Sequence, residues 1–247
     1  MKEFYILILL FYCYSFIGWL IEIVVTLLKM HKFVNRGFLI GPMCPIYGVG
    51  GVLITLLLNN YAKDPLVLFI MAIVLCATLE YITSYIMEKV FKNRWWDYSD
   101  QKFNINGRIC LECAIPFGIA GIIMFYGINP FLINLFSMFN MITLRIICYT
   151  LLGITLIDII LSFNIIMSLK SISNTIRCDS TEIITKKVKE ILSSKTFLHK
   201  RLVASFPDMK VFNKIIVLKN KLNKDKNRLN EELKETKKRS KKKKSKK

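Results

Sequence analysis

The chain has few residues of the kinds on which metal sites, disulfide frameworks and ATP hydrolysis depend. Its 247 residues include only two histidines, and no metal-ligand spacing stands out. A G-x-x-x-x-G-K-[ST] phosphate loop is absent, so the chain cannot itself hydrolyse ATP by that route. Seven cysteines, an odd number lying mostly inside apolar runs, give no disulfide framework. We therefore expect no metal, no cofactor and no assignable catalytic residue.

Acidic residues are scarce beside basic ones, and the imbalance is local. Residues 1–169 hold 11 Lys and Arg against 9 Asp and Glu, whereas residues 170–247 hold 25 against 8. The excess positive charge therefore belongs to the tail. We predict amphipathic cytoplasmic helices over residues 170–235 and a disordered polylysine segment over residues 236–247. Binding of this tail to anionic lipids explains the charge more simply than nucleic acid, which we do not expect as a partner.

Apolar residues are abundant, at 53% of the chain. They come in runs of about twenty, the length that an α-helix needs to cross a hydrocarbon layer of about 30 Å. The runs predict an all-α, polytopic bundle of five transmembrane helices in a domain of residues 1–169. The predicted spans lie near residues 4–28, 41–58, 66–87, 109–128 and 145–169. The first run has no small-residue cleavage site, which favours a retained anchor over a signal peptide.

The charges of the loops predict an orientation in the lipid bilayer. The loops after the first and third runs are rich in Lys and Arg, as is the tail, whereas the other two loops are balanced or uncharged. Because basic loops are rarely translocated, we place the N-terminus outside and the C-terminus in the cytoplasm. Abundant Ile, Asn and Lys with little Ala favours a bacterial origin, and hence the bacterial cytoplasmic membrane as the location.

Acidic side chains occur inside the apolar runs, where a charge at mid-bilayer costs at least about 2.5 kcal/mol. Glu80, Ser84 and Glu88 follow one another at steps of four and form a polar stripe on one helical face. We predict that the stripe faces a polar chamber open to the cytoplasm. The alternative is that these groups form structural ion pairs that hold the bundle together. The acids within or at the end of a run are Glu22, Glu80, Glu88, Glu112 and Asp158.

The segment FVNRGFLIGPMCPIYGVGG, residues 33–51, is rich in helix breakers although it leads into an apolar run. Pro42 and Pro45 remove backbone donors, and the glycines permit turns and close approach. Irregular backbone at membrane depth is tolerated only where it is buried in protein or lines a cavity. We therefore predict a broken or re-entrant start to the second helix, which shapes the pocket. A kinked helix used only for packing is the alternative.

The predicted pocket takes its residues from these spans and from the loops at their cytoplasmic ends. Trp95, Trp96 and Tyr98 suit the headgroup layer and are predicted to be interfacial anchors. Asp158 is left without a role. For the Cys110 and Cys113 pair, helix packing is favoured over metal or redox chemistry. The predicted pocket residues are Glu22, Arg36, Pro42, Pro45, Tyr47, Glu80, Ser84, Glu88, Asp97, Asn106, Arg108 and Glu112.

Several blocks of the sequence resemble a known family. GWLIE, NRGFLIGPMCPIYGVGG, LEYITSYIMEKVF followed by RWWDYS, and FNINGRICLE occur in the order found in bacterial membrane proteins called putative ABC-transporter type IV, the CmpB-type permease family. The resemblance covers roughly residues 5–130. It implies an integral protein of the cytoplasmic membrane with the role of a permease. ATPase activity would then belong to a separate subunit, and five spans are few for a pore, which favours a homodimer.

Three functions remain open from the sequence. The favoured one is a transporter subunit with a cytoplasm-facing pocket in which Glu22 and Glu80 bind a cation or a proton. The second is a membrane enzyme acting on lipid headgroups or polyprenyl phosphates, with a carboxylate as base and Arg residues holding phosphate. The third is a non-catalytic scaffold or sensor that acts through its tail. An enzyme is the less expected class, because no histidine lies in the acidic cluster.

Overall fold

A computed structural model describes residues 1–31, 35, 37–91 and 94–177, without the side chains of residues 29, 30, 165 and 168–177. These residues form a bundle of helices with one small antiparallel hairpin, which confirms the predicted all-α class. The helices are α1 (Lys2–Met30), α2 (Pro45–Leu57), α3 (Pro65–Phe91), α4 (Leu111–Ile123), α5 (Asn129–Ser137) and α6 (Met141–Arg177). The strands are β1 (Asn104–Ile105) and β2 (Ile109–Cys110).

Four helical stretches in the described part of the chain are long and apolar enough to cross a membrane, as expected of a polytopic protein. By contrast, α2 is apolar but has only 13 residues, or about 20 Å of helix. It is too short to cross a hydrocarbon layer of about 30 Å by itself. The four long stretches are Lys2–Leu28, Pro65–Phe91, Leu111–Ser137 and Met141–Asn164.

Helix α2 packs antiparallel against α1 and begins about halfway along it. Gly18 of α1 lies against Tyr47 at the start of α2, and Tyr14 lies against Gly51 one turn further on. Later positions in α2 therefore meet earlier positions in α1. Toward its end, Ile54 shares a buried cluster with Ile6 near the start of α1. The chain has thus reached mid-bundle before α2 begins.

The chain comes back from the end of α1 to its middle over residues 31–44, which we call the return segment. The described residues of this range, 31, 35 and 37–44, form no helix. At its last residue, the backbone N–H of Cys44 donates to the carbonyl oxygen of Ser15, at 2.9 Å. Pro45 then opens α2 at its first position, where a missing backbone donor is harmless. The return segment and α2 together make the second crossing. This confirms the predicted broken or re-entrant start of the second helix.

Close approach between helices depends on glycine. The backbone of Gly48 lies directly against Phe11 and Ser15 of α1, and Gly121 of α4 lies against Ala72 of α3. Lipid tails are as apolar as a protein core, so tight packing of this kind holds membrane helices together more than hydrophobic burial does. The largest buried cluster joins α1, α2, α3 and the turn after α4. Its members are Ile6, Leu10, Tyr14, Ile54, Leu58, Leu68, Ala72 and Met124.

Helix α6 runs parallel to α1. The Tyr5 carbonyl oxygen accepts from the Cys148 thiol at 3.5 Å, and the Tyr12 and Thr155 hydroxyls are 3.0 Å apart. Because α1 and α6 run in the same direction, the chain must reverse its direction an even number of times between them. Five successive spans involve four reversals and agree with this. The helix also extends to Arg177, past the predicted boundary at residue 169. The remainder of the predicted tail lies outside the described residues.

The fourth span is longer than the sequence predicts. Expected to end near residue 128, it continues through a π-helical turn, Met124–Ile128, into α5 and ends at Ser137. Pro130 cannot donate a backbone hydrogen bond, and the helix widens immediately before it. A proline often ends a helix, but here the widened turn accommodates it and the helix continues.

The hairpin β1–β2 lies beside the last turns of α3 and the first turn of α4. Its turn has three residues, 106–108. The first two, Asn106 and Gly107, have φ angles of 53° and 65°, a left-handed conformation that both residue types tolerate. This end of the bundle also carries Glu88, Arg94 and Arg108, and we call it the charged end.

Candidate functional site

Two acids inside the bundle are each paired with a tyrosine, and we call Glu22, Tyr47, Glu80 and Tyr98 the carboxylate–tyrosine cluster. The Tyr47 hydroxyl donates to Glu22 Oε1 at 2.7 Å, which joins α2 to α1. The Tyr98 hydroxyl donates to Glu80 Oε1 at 3.3 Å, which joins the loop after α3 to α3 itself. Tyr47 also lies within electrostatic reach of Glu80. We treat the two pairs, which are built by three helices and a loop, as one group.

Glu80 is the least compensated member of this cluster. Its relative exposure is 7%, and among the described residues its Oε2 atom has no hydrogen-bond partner. The negative charge of Glu22 also acts on it. A buried carboxylate with an open acceptor atom is costly as an anion unless a proton or a cation joins it. Among the described acids, Glu80 is therefore the one that would gain most from binding a proton or a cation.

Tyr98 is held in its protonated, donating form. Burial raises the pKa of Tyr98 far above its ordinary range, and the nearby Glu80 carboxylate raises it further. The hydroxyl therefore keeps its proton at any physiological pH. Tyr98 can donate to Glu80 but cannot itself become a competing anion.

A second group at the charged end, the arginine cluster, is centred on Glu88. Glu88 Oε2 accepts from Arg108 at 2.6 Å and from Arg94 at 3.2 Å. Arg108 also donates to the Ser84 hydroxyl at 3.3 Å, and its guanidinium lies 5.4 Å from the ring centre of Tyr85. The polar stripe Glu80, Ser84 and Glu88 thus faces protein groups. Ser84 and Glu88 belong to the arginine cluster, and Glu80 belongs to the carboxylate–tyrosine cluster.

The two arginines differ in burial, and this gives a matched pair of variants. The Arg108 side chain is 11% exposed and that of Arg94 is 32% exposed. We expect Arg108→Ala to destabilise the protein by about 1–3 kcal/mol, because it leaves the buried Ser84 hydroxyl and the partly exposed Glu88 carboxylate without this donor. Arg94→Ala should cost less than about 1 kcal/mol, as for other exposed ion pairs. Thermal denaturation of both variants in detergent measures the difference, and equal shifts would contradict it.

The loop between α3 and the hairpin is fixed by Asp97. Its Oδ1 atom accepts from the Ser99 backbone at 3.1 Å and from Arg94 at 3.3 Å, and it also binds the Ser99 hydroxyl. The bonds from Ser99 are the main cause that holds the pKa of Asp97 below its ordinary value. The stabilisation from Asp97 is therefore present above its ordinary pKa and is lost as the pH falls through the lowered one. Gly107 packs against this group.

Other predicted pocket residues are placed separately. Asn106 donates to the Tyr81 hydroxyl at 2.9 Å at the charged end. Pro45 opens α2 beside Tyr47, whereas Pro42 and Glu112 are exposed. Arg36 lies outside the described residues. The structure therefore divides the described part of the predicted set between two clusters and leaves Pro42 and Glu112 outside both.

The three predicted aromatic anchors all lie against protein. Trp95 is buried and packs against Phe38 and Phe91. Trp96 donates its indole N–H to the Arg108 carbonyl oxygen at 3.1 Å. Tyr98 bonds to Glu80, as described above. Their role at the headgroup layer stays a prediction, and each has a packing role in addition.

Asp158 of α6 is a functional candidate whose role the sequence left unassigned. Its two carboxylate oxygens accept the backbone N–H groups of Ile40 at 2.8 Å and Gly41 at 2.7 Å. Ser162, one turn further along α6, donates to the same carboxylate at 3.0 Å. Asp158 thus satisfies two amides that the return segment leaves without helical partners. Two features of the sequence could have indicated this contact. Asp158 is an acid within an apolar run, and the non-helical residues near position 41 have backbone N–H groups that need acceptors.

A second unpredicted group lies in the half of the bundle away from the charged end. Tyr14 donates its hydroxyl to Asn129 Oδ1, and the Asn129 amide donates to Thr55 at 2.9 Å. Asn129 is only 4% exposed. These bonds tie α1, α2 and α5 together. No sequence pattern marks these three residues, because their contacts join parts of the chain that are far apart in the sequence.

In the described ranges, no group of three His, Cys, Asp or Glu side chains is arranged to hold a metal ion. Comparison with models of protein families matches residues 9–163 to the family described as Putative ABC-transporter type IV. That match covers more than half of the chain and includes both clusters and Asp158. No curated protein and no solved structure matches the chain.

Proposed function

Because the chain belongs to the putative ABC-transporter type IV family, we propose that it is the membrane-spanning permease subunit of a transporter whose carboxylate–tyrosine cluster binds a proton or a small cation. The observation that carries the proposal is the environment of Glu80. This acid is 7% exposed, and its Oε2 atom has no hydrogen-bond partner among the described residues. Glu22 is close enough to interact with it electrostatically. Two neighbouring acids in a membrane interior are a costly arrangement that usually serves transport.

The positions of the basic groups support a cation rather than an anion. Among the ion pairs of the described residues, Arg94 and Arg108 bind Glu88 and Asp97, and none reaches Glu22 or Glu80. Within the part of the chain that the structure describes, the two acids of the carboxylate–tyrosine cluster therefore have no basic partner. A proton or a small cation would supply the missing positive charge.

Access from the charged end is part of the proposal. The loops at this end and the tail that follows α6 carry most of the basic residues, which favours a cytoplasmic position. The polar chamber would then open to the cytoplasm through the loop that holds Tyr98. A separate ATPase subunit would dock on the same loops. A homodimer and binding of the tail to anionic lipids are further parts of the proposal.

The test uses purified full-length protein in liposomes that contain a pH-sensitive or cation-sensitive dye. Under an imposed gradient of protons, sodium or potassium, the wild type should move one of these ions faster than protein-free liposomes. Glu80→Gln should abolish the movement, because the amide is similar in shape but cannot bind the ion with a negative charge.

Glu3→Gln is the matched control, because Glu3 is exposed in the first turn of α1, far from the cluster. This variant should transport like the wild type. Normal transport by Glu80→Gln, with equal amounts of protein in the liposomes, would remove Glu80 from the site. Absence of flux in every gradient would overturn the proposed cation or proton.

The membrane-enzyme alternative has less support from the geometry. Phosphate recognition is best served by a free guanidinium, and the two described arginines of the charged end, Arg94 and Arg108, both bind Glu88. The scaffold alternative depends on the tail, which lies outside the described residues.

A further inference from the structure

Two thiols face each other at the start of α4. The sulfur atoms of Cys110 and Cys113 are 2.9 Å apart. Cys110 is the residue that precedes the first turn of α4 and has extended backbone angles, with φ −141° and ψ 159°. Cys113 lies within that first turn. The C-x-x-C spacing across a helix start therefore turns both side chains to the same side.

The pair also contacts the carboxylate–tyrosine cluster. The Tyr98 hydroxyl, which donates to Glu80, is close enough to the Cys113 thiol for the two groups to interact electrostatically. The two thiols differ in access, because Cys110 is 3% exposed whereas Cys113 is partly exposed. A small reagent that approaches the protein surface would therefore react with Cys113 before Cys110.

We propose that Cys110 and Cys113 form a thiol–disulfide site that reacts with small disulfides such as oxidised glutathione. In the first step, Cys113 loses its proton and attacks the disulfide. A mixed disulfide forms at Cys113, and one glutathione thiolate leaves. In the second step, Cys110 loses its proton and attacks the Cys113 sulfur, which releases the second thiolate. The two protein thiols are oxidised by two electrons, and the two glutathione thiolates take up the two protons.

The geometry makes the second step short. A disulfide bond is about 2.05 Å long, so the sulfur atoms need to approach by about 0.9 Å. The backbone on either side already brings the two sulfur atoms close together. Oxidation removes the Cys113 hydrogen atom near the Tyr98 hydroxyl. The reaction therefore changes the surroundings of a hydroxyl that bonds to Glu80.

The experiment treats the full-length protein, in membranes, with oxidised glutathione and then alkylates the remaining thiols. Trypsin cleavage after Arg108 and Arg145 gives one peptide, residues 109–145, that contains Cys110 and Cys113 and no other cysteine. We expect this peptide to resist alkylation and to weigh less than the reduced peptide by two hydrogen atoms. Cys13 and Cys76 serve as reference thiols in the same sample, and both should remain open to alkylation after the protein is denatured.

Two serine variants test the order of the steps. In Cys110→Ser the second step cannot occur, so the glutathione adduct should remain on Cys113. In Cys113→Ser the buried Cys110 should form an adduct at least about tenfold more slowly. Two separately alkylated cysteines in the treated wild type would overturn the proposal, as would a persistent adduct in place of the internal disulfide. These readouts need no ion flux, so they are independent of the proposed transport.

Discussion

Gly48→Ala is expected to lower the free energy of unfolding by about 1–3 kcal/mol, although it adds a single methyl group. A Cβ atom at this position would lie 2.5 Å from the Phe11 carbonyl oxygen and 2.7 Å from the Phe11 ring, and it would overlap the Ser15 hydroxyl. The carbonyl belongs to the backbone of α1 and cannot rotate away. Helix α2 would therefore have to move from α1, which would also disturb the bond between Tyr47 and Glu22.

Gly153→Ala is the matched control, because the same substitution in α6 meets no atom within 4 Å. Alanine favours a helix over glycine by up to about 1 kcal/mol, so this variant should be as stable as the wild type or slightly more stable. Thermal denaturation in detergent compares the two. Equal loss of stability in both variants would show that the contact between α1 and α2 is not as close as described.

Asp158→Ala is expected to release the return segment from α6. The substitution leaves the amides of Ile40 and Gly41 without an acceptor, at about 1–3 kcal/mol each. Loss of the charge itself offsets about 2.5 kcal/mol of this cost, so global stability is a poor readout. Local opening is the better one. We expect Cys44, at the end of the segment, to be alkylated at least about tenfold faster, since about 1.4 kcal/mol of local destabilisation has that effect.

Two variants sharpen this result. Asp158→Asn keeps one acceptor oxygen and should fall between alanine and the wild type. Ser162→Ala removes a bond to Asp158 but leaves both amide contacts in place, so Cys44 should react at nearly the normal rate. The tryptic peptide of residues 37–63 contains Cys44 as its only cysteine and reports the rate by mass. Unchanged reactivity in Asp158→Ala would show that other contacts hold the segment.

The sequence predicted those features of the fold that follow from burial of the backbone in lipid, which are the helical spans and the non-helical start of the second one. Apolar runs of membrane length have one stable form in lipid, the helix, and prolines and glycines exclude that form near residue 41. The end of the fourth span was not predictable in this way. Whether Pro130 ends a helix or is absorbed by a widened turn depends on the packing of its neighbours, which no local pattern encodes.

The site was predictable only as a set of residues in one region. The i, i+4 spacing placed Glu80, Ser84 and Glu88 on one face, and the structure shows all three bonded to protein groups. Spacing within one helix could not show that Arg108 reaches Glu88 while Glu80 keeps an open oxygen. The same limit applies to Asp158, whose partners lie more than a hundred residues earlier in the chain.

The contact between Asp158 and the return segment also constrains the order of assembly during biosynthesis. Gly41 and Asp158 are 117 residues apart, so the amides of the segment leave the ribosome long before their acceptor. At about 5–20 residues per second the delay is on the order of ten seconds. During this interval the amides of Ile40 and Gly41 lack the acceptor that they have in the folded protein. We therefore expect the return segment to reach its final position only after α6 has been synthesised.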